Sequence, residues 1–329
     1  MSTIYDVAKV AGVSKTTVSK ILSGSKNVRP QTLERVNAAI KKLDYVPNCF
    51  AQGMRSAATK TIAVLLPEQY NYGYMELLTG IEKCANRNGY MTFVCSTGRD
   101  GEREMKYLKE MVRRRVDGVI YFTYRRNEKN IAYLKRIAGN IAVVVMDNVL
   151  RGEKLDTVRV NGGELTKSAV KYLCNNGCKK IAYIKGLDEY DATAERFSGY
   201  ALGLKECGLS LDNLLVESAE FTMEGGRNAT RLLWERKPDA IITATDMLAL
   251  GALDFMEAEG VRVPQDVSII GFDNIPLCIW SRPRLSTISQ NQEKVGETAV
   301  QQLLARLSEP QKEAVELILN GELILRETT

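Results

Sequence analysis

From residue 61 onward the chain alternates short continuous apolar runs with longer stretches whose apolar residues recur at steps of three and four. The runs are 61–67 (TIAVLLP), 91–96 (MTFVCS), 118–122 (GVIYF) and 142–147 (AVVVMD); a second series follows at 179–186, 214–218, 240–244 and 267–273. The stretches between them read as amphipathic helices at Met75–Asn88, Glu102–Arg114, Glu128–Ala138, Gly163–Asn176, Thr193–Cys207, Gly225–Trp234 and Asp246–Glu259. Strands that are apolar throughout belong to parallel sheets covered on both faces, so the pattern predicts an α/β core of two doubly wound lobes. Ligands in such sheets sit beyond the carboxyl ends of the strands, and two facing lobes define a cleft. A last run, LSTIS (285–289), and a helix Gln292–Leu307 lead to VELILNGELIL, where Asn320-Gly321 predicts a two-residue hairpin. A chain that returns in this way crosses between the lobes more than once.

The first 56 residues have a different texture. In TIYDVAKVAGVSKTTVSKIL (3–22), Thr3 is placed to cap a helix with Asp6 three residues on, and Val7, Ala8 and Ala11 form its apolar stripe. Gly12 stands where a helix C-terminus needs positive φ, and Ser14 is placed to cap a second helix. That helix buries Val18, Ile21 and Leu22 and turns Lys15, Thr16, Ser19 and Lys20 outward. Helix, glycine turn and helix make a helix-turn-helix, whose second helix fits the major groove of B-DNA. The alternative is an ordinary helical hairpin with a solvated basic face. Pro30 opens a third helix in which Leu33, Val36, Ile40 and Leu43 share a face, and Pro47 ends it. The all-α head is followed by Asn48–Ser56, too short and too polar to fold alone and readable as plain linker.

These residues carry a resemblance. The 3–22 run, YVPN at 45–48 and the AQ-x-apolar-basic run at 51–55 resemble the LacI family of bacterial repressors, and ERFSGY (195–200), ATDMLALGAL (244–253) and GFDNIPL (271–277) extend the likeness over essentially the whole chain. The resemblance implies a helix-turn-helix DNA-binding domain at 1–46 and a hinge helix or linker at 47–58. It also implies a periplasmic-binding-protein-like effector-binding and dimerisation domain at 59–329. Within that domain the N-terminal lobe spans about 59–161 plus 290–320, and the C-terminal lobe about 162–289 plus the chain end. The hinge is expected to become helical only on operator DNA, where the two copies in a dimer pry open the minor groove. The family's usual leucine wedge is Met54 here, apolar and pliable. Gly53 beside it costs about 1 kcal/mol in a helix relative to alanine. No leucine-heptad tail is present, so the expected assembly is a dimer.

Charge agrees with that division. Residues 1–60 hold 10 Lys and Arg against 3 Asp and Glu, and the remainder 35 against 37. The net charge of +5 therefore hides a basic head suited to a polyanion on a near-neutral body. By resemblance Lys15, Thr16 and Lys20 read base edges; Lys donates to guanine, and Thr offers a hydroxyl and a methyl. Tyr5, Ser14, Ser19, Asn27 and Thr32 fall near phosphates, and Thr3, Thr17, Ala51, Met54 and Arg55 complete the DNA-binding set.

In the cleft, Arg196 and Asp273 are candidates to clamp adjacent hydroxyls of a sugar, the alternative being a structural salt bridge. By resemblance Tyr74, Phe221 and Trp280 fall in segments that line the cleft, where they either stack on a ligand or pack in the core. Asp147, Asn148 and Thr245 lie just beyond strands. The Asp-Asn pair usual in the family after the lobe crossover reads Asn161-Gly162, which argues against a contact there. Asp246 is expected to cap the helix that it opens rather than to touch ligand.

Seven cysteines (49, 84, 95, 174, 178, 207, 278) and no histidine leave no Ser-His-Asp, Cys-His or His-ligated metal centre to build. Neither phosphate-binding glycine motif occurs. The expectation is a non-enzyme with no cofactor and no metal, acting in the cytoplasm on the nucleoid without a membrane span. Its partners are operator DNA, a second copy of itself and a small carbohydrate-like effector. Within regulators the alternatives are a purine, which calls for more stacking, or a phosphoprotein meeting Arg113–Arg115 and Arg125-Arg126. A solute-binding protein would need an export signal and no basic head, and an enzyme on this fold has only the fold in its favour.

Overall fold

The computed structural model describes residues 2–22, 28–45, 58–68, 72–146, 154–188 and 190–329. The chain divides into two compact units, Met1–Thr61 with Arg115–Asp117, and Ile62–Arg114 with Gly118–Thr329.

The first unit contains helices α1 (Ile4–Ala11), α2 (Lys15–Leu22) and α3 (Pro30–Lys42). Thr3 accepts from the Asp6 amide, and the Asp6 carboxylate accepts from the Thr3 amide at 2.8 Å, closing a reciprocal capping box that contributes about 1 kcal/mol. Gly12 ends α1 at φ 62°. Ser14 Oγ accepts from the Thr17 amide at 3.1 Å and so caps α2. Val7, Val18 and Val36 are fully buried at the centre of this small core. Leu33 departs from the expected apolar face: it is 42 % exposed, and Ala39 takes the buried place. Val36 is buried and Ile40 and Leu43 pack against the three-helix core as expected, and the exposed Arg35 donates to the carbonyls of Ala11 and Gly12 at the end of α1.

The second unit holds two six-stranded sheets. In the first, β1 (Thr61–Leu66), β2 (Met91–Ser96), β3 (Gly118–Tyr121), β4 (Ala142–Met146), β5 (Asp156–Val160) and β11 (Glu316–Leu319) lie in the order β11-β5-β4-β3-β1-β2. Ile120 stands opposite Val64 on one side and Val144 on the other, in parallel register. Helices α4 (Gly73–Arg87), α5 (Gly101–Arg113), α6 (Glu128–Ile137) and α11 (Gln292–Ser308) belong to this lobe. The second sheet contains β6 (Ile181–Lys185), β7 (Val216–Ser218), β8 (Ala240–Thr243), β9 (Ser268–Phe272), β10 (Ser286–Ser289) and β12 (Glu322–Ile324), ordered β12-β10-β9-β8-β6-β7. Its helices are α7 (Gly162–Asn175), α8 (Asp191–Glu206), α9 (Met223–Trp234) and α10 (Asp246–Ala258). Helices α7 and α8 cross so closely that a Cβ on Gly199 would lie 2.0 Å from the Gly163 carbonyl oxygen, which is why ERFSGY carries a glycine there.

Two expectations about the chain are corrected here. Asn320-Gly321 makes no hairpin: β11 pairs in parallel with β5 in the first sheet, and β12 pairs antiparallel with β10 in the second. The type I′ turn that Asn-Gly favours needs positive φ at both central residues, and type II′ needs it at the first; neither Asn320 nor Gly321 has it. The dipeptide is a crossing between lobes. Strand β5 was absent from the apolar pattern because Asp156 and Arg159 interrupt it, although both are buried, at 2 % and 4 % exposure. Each has an ionic partner: Asp156 meets Arg306, and Arg159 meets Glu316 at 2.5 Å and Glu195 at 3.7 Å.

Candidate nucleic-acid interface and ligand cleft

On the head, Thr3, Tyr5, Ser14, Lys15, Thr16 and Lys20 are exposed, and Thr17, Ser19 and Thr32 are half-buried. Lys15 Nζ donates to Tyr5 Oη at 2.9 Å and lies 4.5 Å from the centre of its ring. That hydrogen bond, followed by the ammonium charge, lowers the phenol's pKa from its ordinary value. The Ser14 and Thr17 hydroxyls face each other at 2.9 Å. No acidic residue stands in the first turn of α2, so its amide end, its capping hydroxyls and Lys15 present a positive surface suited to a phosphodiester. Asn27, Ala51, Met54 and Arg55 lie outside the described residues.

The second unit opens a cleft of about 770 Å³, part of it continuous with solvent, between the two sheets. Its walls come from the carboxyl ends of strands on both lobes, the position expected for doubly wound sheets. Tyr74, Arg196, Phe221, Thr245 and Asp273 all line it, whereas Asp147 and Asn148 lie outside the described residues. Trp280 does not line it. It follows a short 3-10 turn, Pro276–Ile279, and is 71 % exposed.

The polar end of the cleft is built around Arg196. Its guanidinium lies 3.8 Å from the centre of the Phe272 ring, donates to the Ala244 carbonyl, and stands 4.0 Å from Asp273 Oδ1. The side chain passes Gly162, where a Cβ would lie 3.2 Å from Arg196 Cγ; Asn161 in turn caps α7 by accepting from Glu164 N. The Asn161-Gly162 departure is thus a cap and a bed for Arg196. Asp273 also accepts at 2.8 Å from Nε2 of Gln290, which lies on the connection between β10 and α11.

Asp273 sits at φ 111° and Asn274 at φ 57°, a strained pair of backbone positions. Asp246 holds the turn: its carboxylate accepts from the Ile275 amide at 2.8 Å and from the Thr287 hydroxyl at 2.5 Å. Arg326 adds a bond to Asn274 Oδ1 at 2.7 Å. Complete burial, and then the nearby Asp273 charge, push the Asp246 carboxyl up to about 7. Asp246 is therefore not the helix cap that the sequence led us to expect. Thr245 is, accepting from Leu248 N, and Asp246 is the first residue inside α10.

The other wall is aromatic. Tyr74 meets Phe122 edge-on at 5.1 Å, Tyr124 lies 4.9 Å from Tyr190, and Tyr190 lies 5.5 Å from Phe221. Sequence reasoning found only the first and last of these rings. Phe122 and Tyr124 follow β3 and Tyr190 precedes α8, positions that their strand-end placement makes cleft-lining. Thr193 was also missed. It is 2 % exposed, lines the cleft, and its hydroxyl has no hydrogen-bond partner among the described residues. A buried hydroxyl with nothing to bond costs on the order of 1–3 kcal/mol.

Arg113 and Arg114 pair with Glu110 at 3.4 and 3.0 Å, and Arg126 pairs with Glu128 at 2.7 Å, so these arginines are engaged on their own segments. Among the described residues no cluster of His, Cys, Asp or Glu could hold a metal ion, and no helix is long and apolar enough to cross a membrane.

A helix-turn-helix unit with a basic exposed face and a two-lobed unit with a polar and aromatic cleft together define a DNA-binding regulator with a candidate ligand cleft. Residues 3–48 match the family described as bacterial regulatory proteins, lacI family, and residues 170–329 match the periplasmic binding protein-like domain. The chain is 32 % identical over 330 residues to the HTH-type transcriptional repressor PurR of Vibrio vulnificus (strain CMCP6), covering 100 % of this chain and 98 % of that one. Its structure superposes on the Lac repressor dimer bound to operator and the anti-inducer ONPF with a TM-score of 0.92 and 25 % identity, covering 100 % and 99 % of the two chains. On the transcriptional regulator CelR–cellobiose complex the TM-score is 0.77, with 28 % identity and complete coverage of both. The chain belongs to the LacI family of bacterial regulatory proteins.

Proposed function

We propose that this protein is a cytoplasmic transcriptional repressor that binds a two-fold symmetric operator as a homodimer, and that a small polyhydroxylated ligand in the cleft adjusts its grip. Two recognition helices related by a dimer axis reach successive major grooves, with Lys15, Thr16 and Lys20 at base edges and Tyr5, Ser14, Ser19 and Thr32 toward phosphates. The Met54 pair is assigned to the minor groove at the dyad, where a deformable pyrimidine–purine step is favoured. Exposed apolar side chains support self-association: Met91, Phe93 and Val94 on edge strand β2, and Ile279 and Trp280 on the other lobe.

The observation that carries the ligand assignment is the Arg196–Asp273–Gln290 arrangement beside the Thr193 hydroxyl. A planar donor, a carboxylate acceptor and an amide at one end of an aromatic chamber suit vicinal hydroxyls and the apolar face of a sugar ring. Similarity to the cellobiose-bound regulator points the same way. A purine is the second reading, favoured by the connected series of five rings on the other wall.

Thermal-shift screening against sugars and nucleobases separates the two, because a ligand of the native state raises the melting temperature. A carbohydrate that raises it, with Arg196→Ala abolishing the rise, is the expected result. A rise with a nucleobase alone reverses the ligand class.

A further inference from the structure

Arg99 lies at the rim of the cleft, in a part of the chain that no motif singled out. Gly98 and Arg99 both adopt left-handed backbone, at φ 67° and 61°. The loop is pinned to its own lobe by the Thr97 amide on Leu66 O at 2.8 Å and the Arg99 amide on Pro67 O at 3.0 Å. The guanidinium is then fixed by Glu68 of the same lobe, which accepts from Nε at 3.1 Å and from Nη2 at 2.7 Å. This leaves Nη1 directed across the cleft. It donates to Tyr190 Oη and stands 3.5 Å from Glu220, and both of these residues belong to the opposite lobe. The guanidinium carbon also lies 5.3 Å from the Tyr124 ring centre and 5.5 Å from that of Tyr190, one ring from each lobe.

We propose that Arg99 is a positioning residue that latches the two lobes together, held by Glu68 on one lobe and gripping Tyr190 and Glu220 on the other, so that the cleft closes without a ligand. Tyr190 is the partner that makes the grip consequential. It is 2 % exposed and buried among side chains of the N-terminal lobe core, including Tyr74 and Val295. Its ring cannot withdraw without breaking the Arg99 bond as well as its own packing. Tyr124 also donates to Glu68 Oε1 at 3.1 Å, so anchor, latch and aromatic wall form one connected set. Burial works against the guanidinium charge, but the bonds and charge of Glu68 outweigh it, and Arg99 stays protonated at any working pH. The Glu220 arm is 54 % exposed and is weakened by salt; the Tyr190 arm is not. A ligand that needs the lobes open must overcome this closure, and one that favours closed lobes gains from it.

The test uses the full chain without DNA or ligand, with a donor and an acceptor fluorophore on non-natural amino acids at exposed positions Lys129 and Glu224, one on each lobe, in protein diluted with unlabelled copies. Single-molecule energy transfer then reads the closed-to-open ratio. The native protein is expected to be mainly closed. Arg99→Ala should lower the ratio about five- to tenfold, the size of a charge-assisted bond with a partly exposed ion pair. Arg99→Lys should recover part of the loss, and Glu220→Gln should have a smaller effect together with a reduced response to salt. Tyr190→Phe keeps the ring and removes only the hydroxyl, so it reports on the latch even if Arg99→Ala fails to fold; it too should shift the ratio toward open. Energy-transfer distributions that stay unchanged in folded Arg99→Ala or in Tyr190→Phe overturn the proposal, as does a native protein that is already open.

Discussion

Lys15 donates to the phenol oxygen of Tyr5 at 2.9 Å, so the first residue of the proposed recognition helix is tied to a residue of α1 before any DNA is present. The bond orients Lys15 along the outer face of the head and limits its rotamers. A lysine so restrained loses less side-chain entropy when it meets a base edge. Removing it should therefore cost both a contact and an orientation. Lys15→Ala is expected to weaken binding to a selected operator about 10- to 100-fold, with little change on random DNA. Tyr5→Phe should cost less. Fluorescence anisotropy on both duplexes checks this; equal losses on the two would make Lys15 a phosphate contact instead.

Arg196 and Asp273 hold the polar end of the cleft, and neither belongs to the head. Arg196→Ala and Asp273→Asn should each reduce ligand affinity by roughly 100-fold, because each leaves a partner group unpaired. Operator affinity without ligand should stay within about threefold of the native value. Parallel titrations of ligand and DNA separate the two effects. Loss of both activities together would mean that these residues hold the fold rather than the ligand.

Asp246 gives the protein a signed dependence on pH. Its carboxyl, ordinarily near 3.8, is held up to about 7, chiefly by burial and then by the Asp273 charge. Below about pH 4 the group is protonated in folded and unfolded chains alike, and its contribution to stability is complete. Between about pH 4 and 7 the unfolded chain releases the proton while the folded chain keeps it, so stability falls as pH rises. Melting temperatures from pH 4.5 to 7.5 should decline less in Asp246→Asn than in the native protein. Parallel declines would assign the slope to other groups.

Arg306 donates to both oxygens of Asp156 at 2.7 Å, and the Val315 amide adds a third bond to the same carboxylate at 3.0 Å. The Asp156 side chain is wholly inaccessible to solvent. Arg306→Ala strands that charge and should cost about 3–5 kcal/mol in urea unfolding. The double change Arg306→Met with Asp156→Asn should recover part of the loss. A single-variant cost below about 1 kcal/mol would show that water reaches the carboxylate.

The same pair explains where reading the sequence stops. Apolar continuity revealed β1, β3, β4, β6, β8 and β9, because strands covered on both faces have few polar positions to spare. It missed β5, whose Asp156 and Arg159 are matched by Arg306 and Glu316 from more than 140 residues away. Local turn chemistry misread Asn320-Gly321, since the partners that separate β11 from β12 are strands in two different sheets. The capping of α1 and α2 and the Gly12 turn were legible because all their determinants lie within a few residues. In the cleft, Arg196 and Asp273 stood out through their motifs. Tyr124, Tyr190, Thr193 and Arg99 belong to no motif, and apart from the strand-end placement of the two tyrosines nothing local marks them; they line the cleft and its rim only once the two sheets are brought together.

Occupancy of the cleft is expected to change the grip of the head on DNA. The direct measurement takes a duplex enriched from a random library by the full-length protein and titrates it with and without the compound giving the largest rise in melting temperature. The expected result is a two-fold symmetric duplex whose Kd changes at least tenfold with that compound, and loss of the change in Arg196→Ala. A duplex of any sequence bound equally well, or a Kd indifferent to a compound that demonstrably binds, would contradict it.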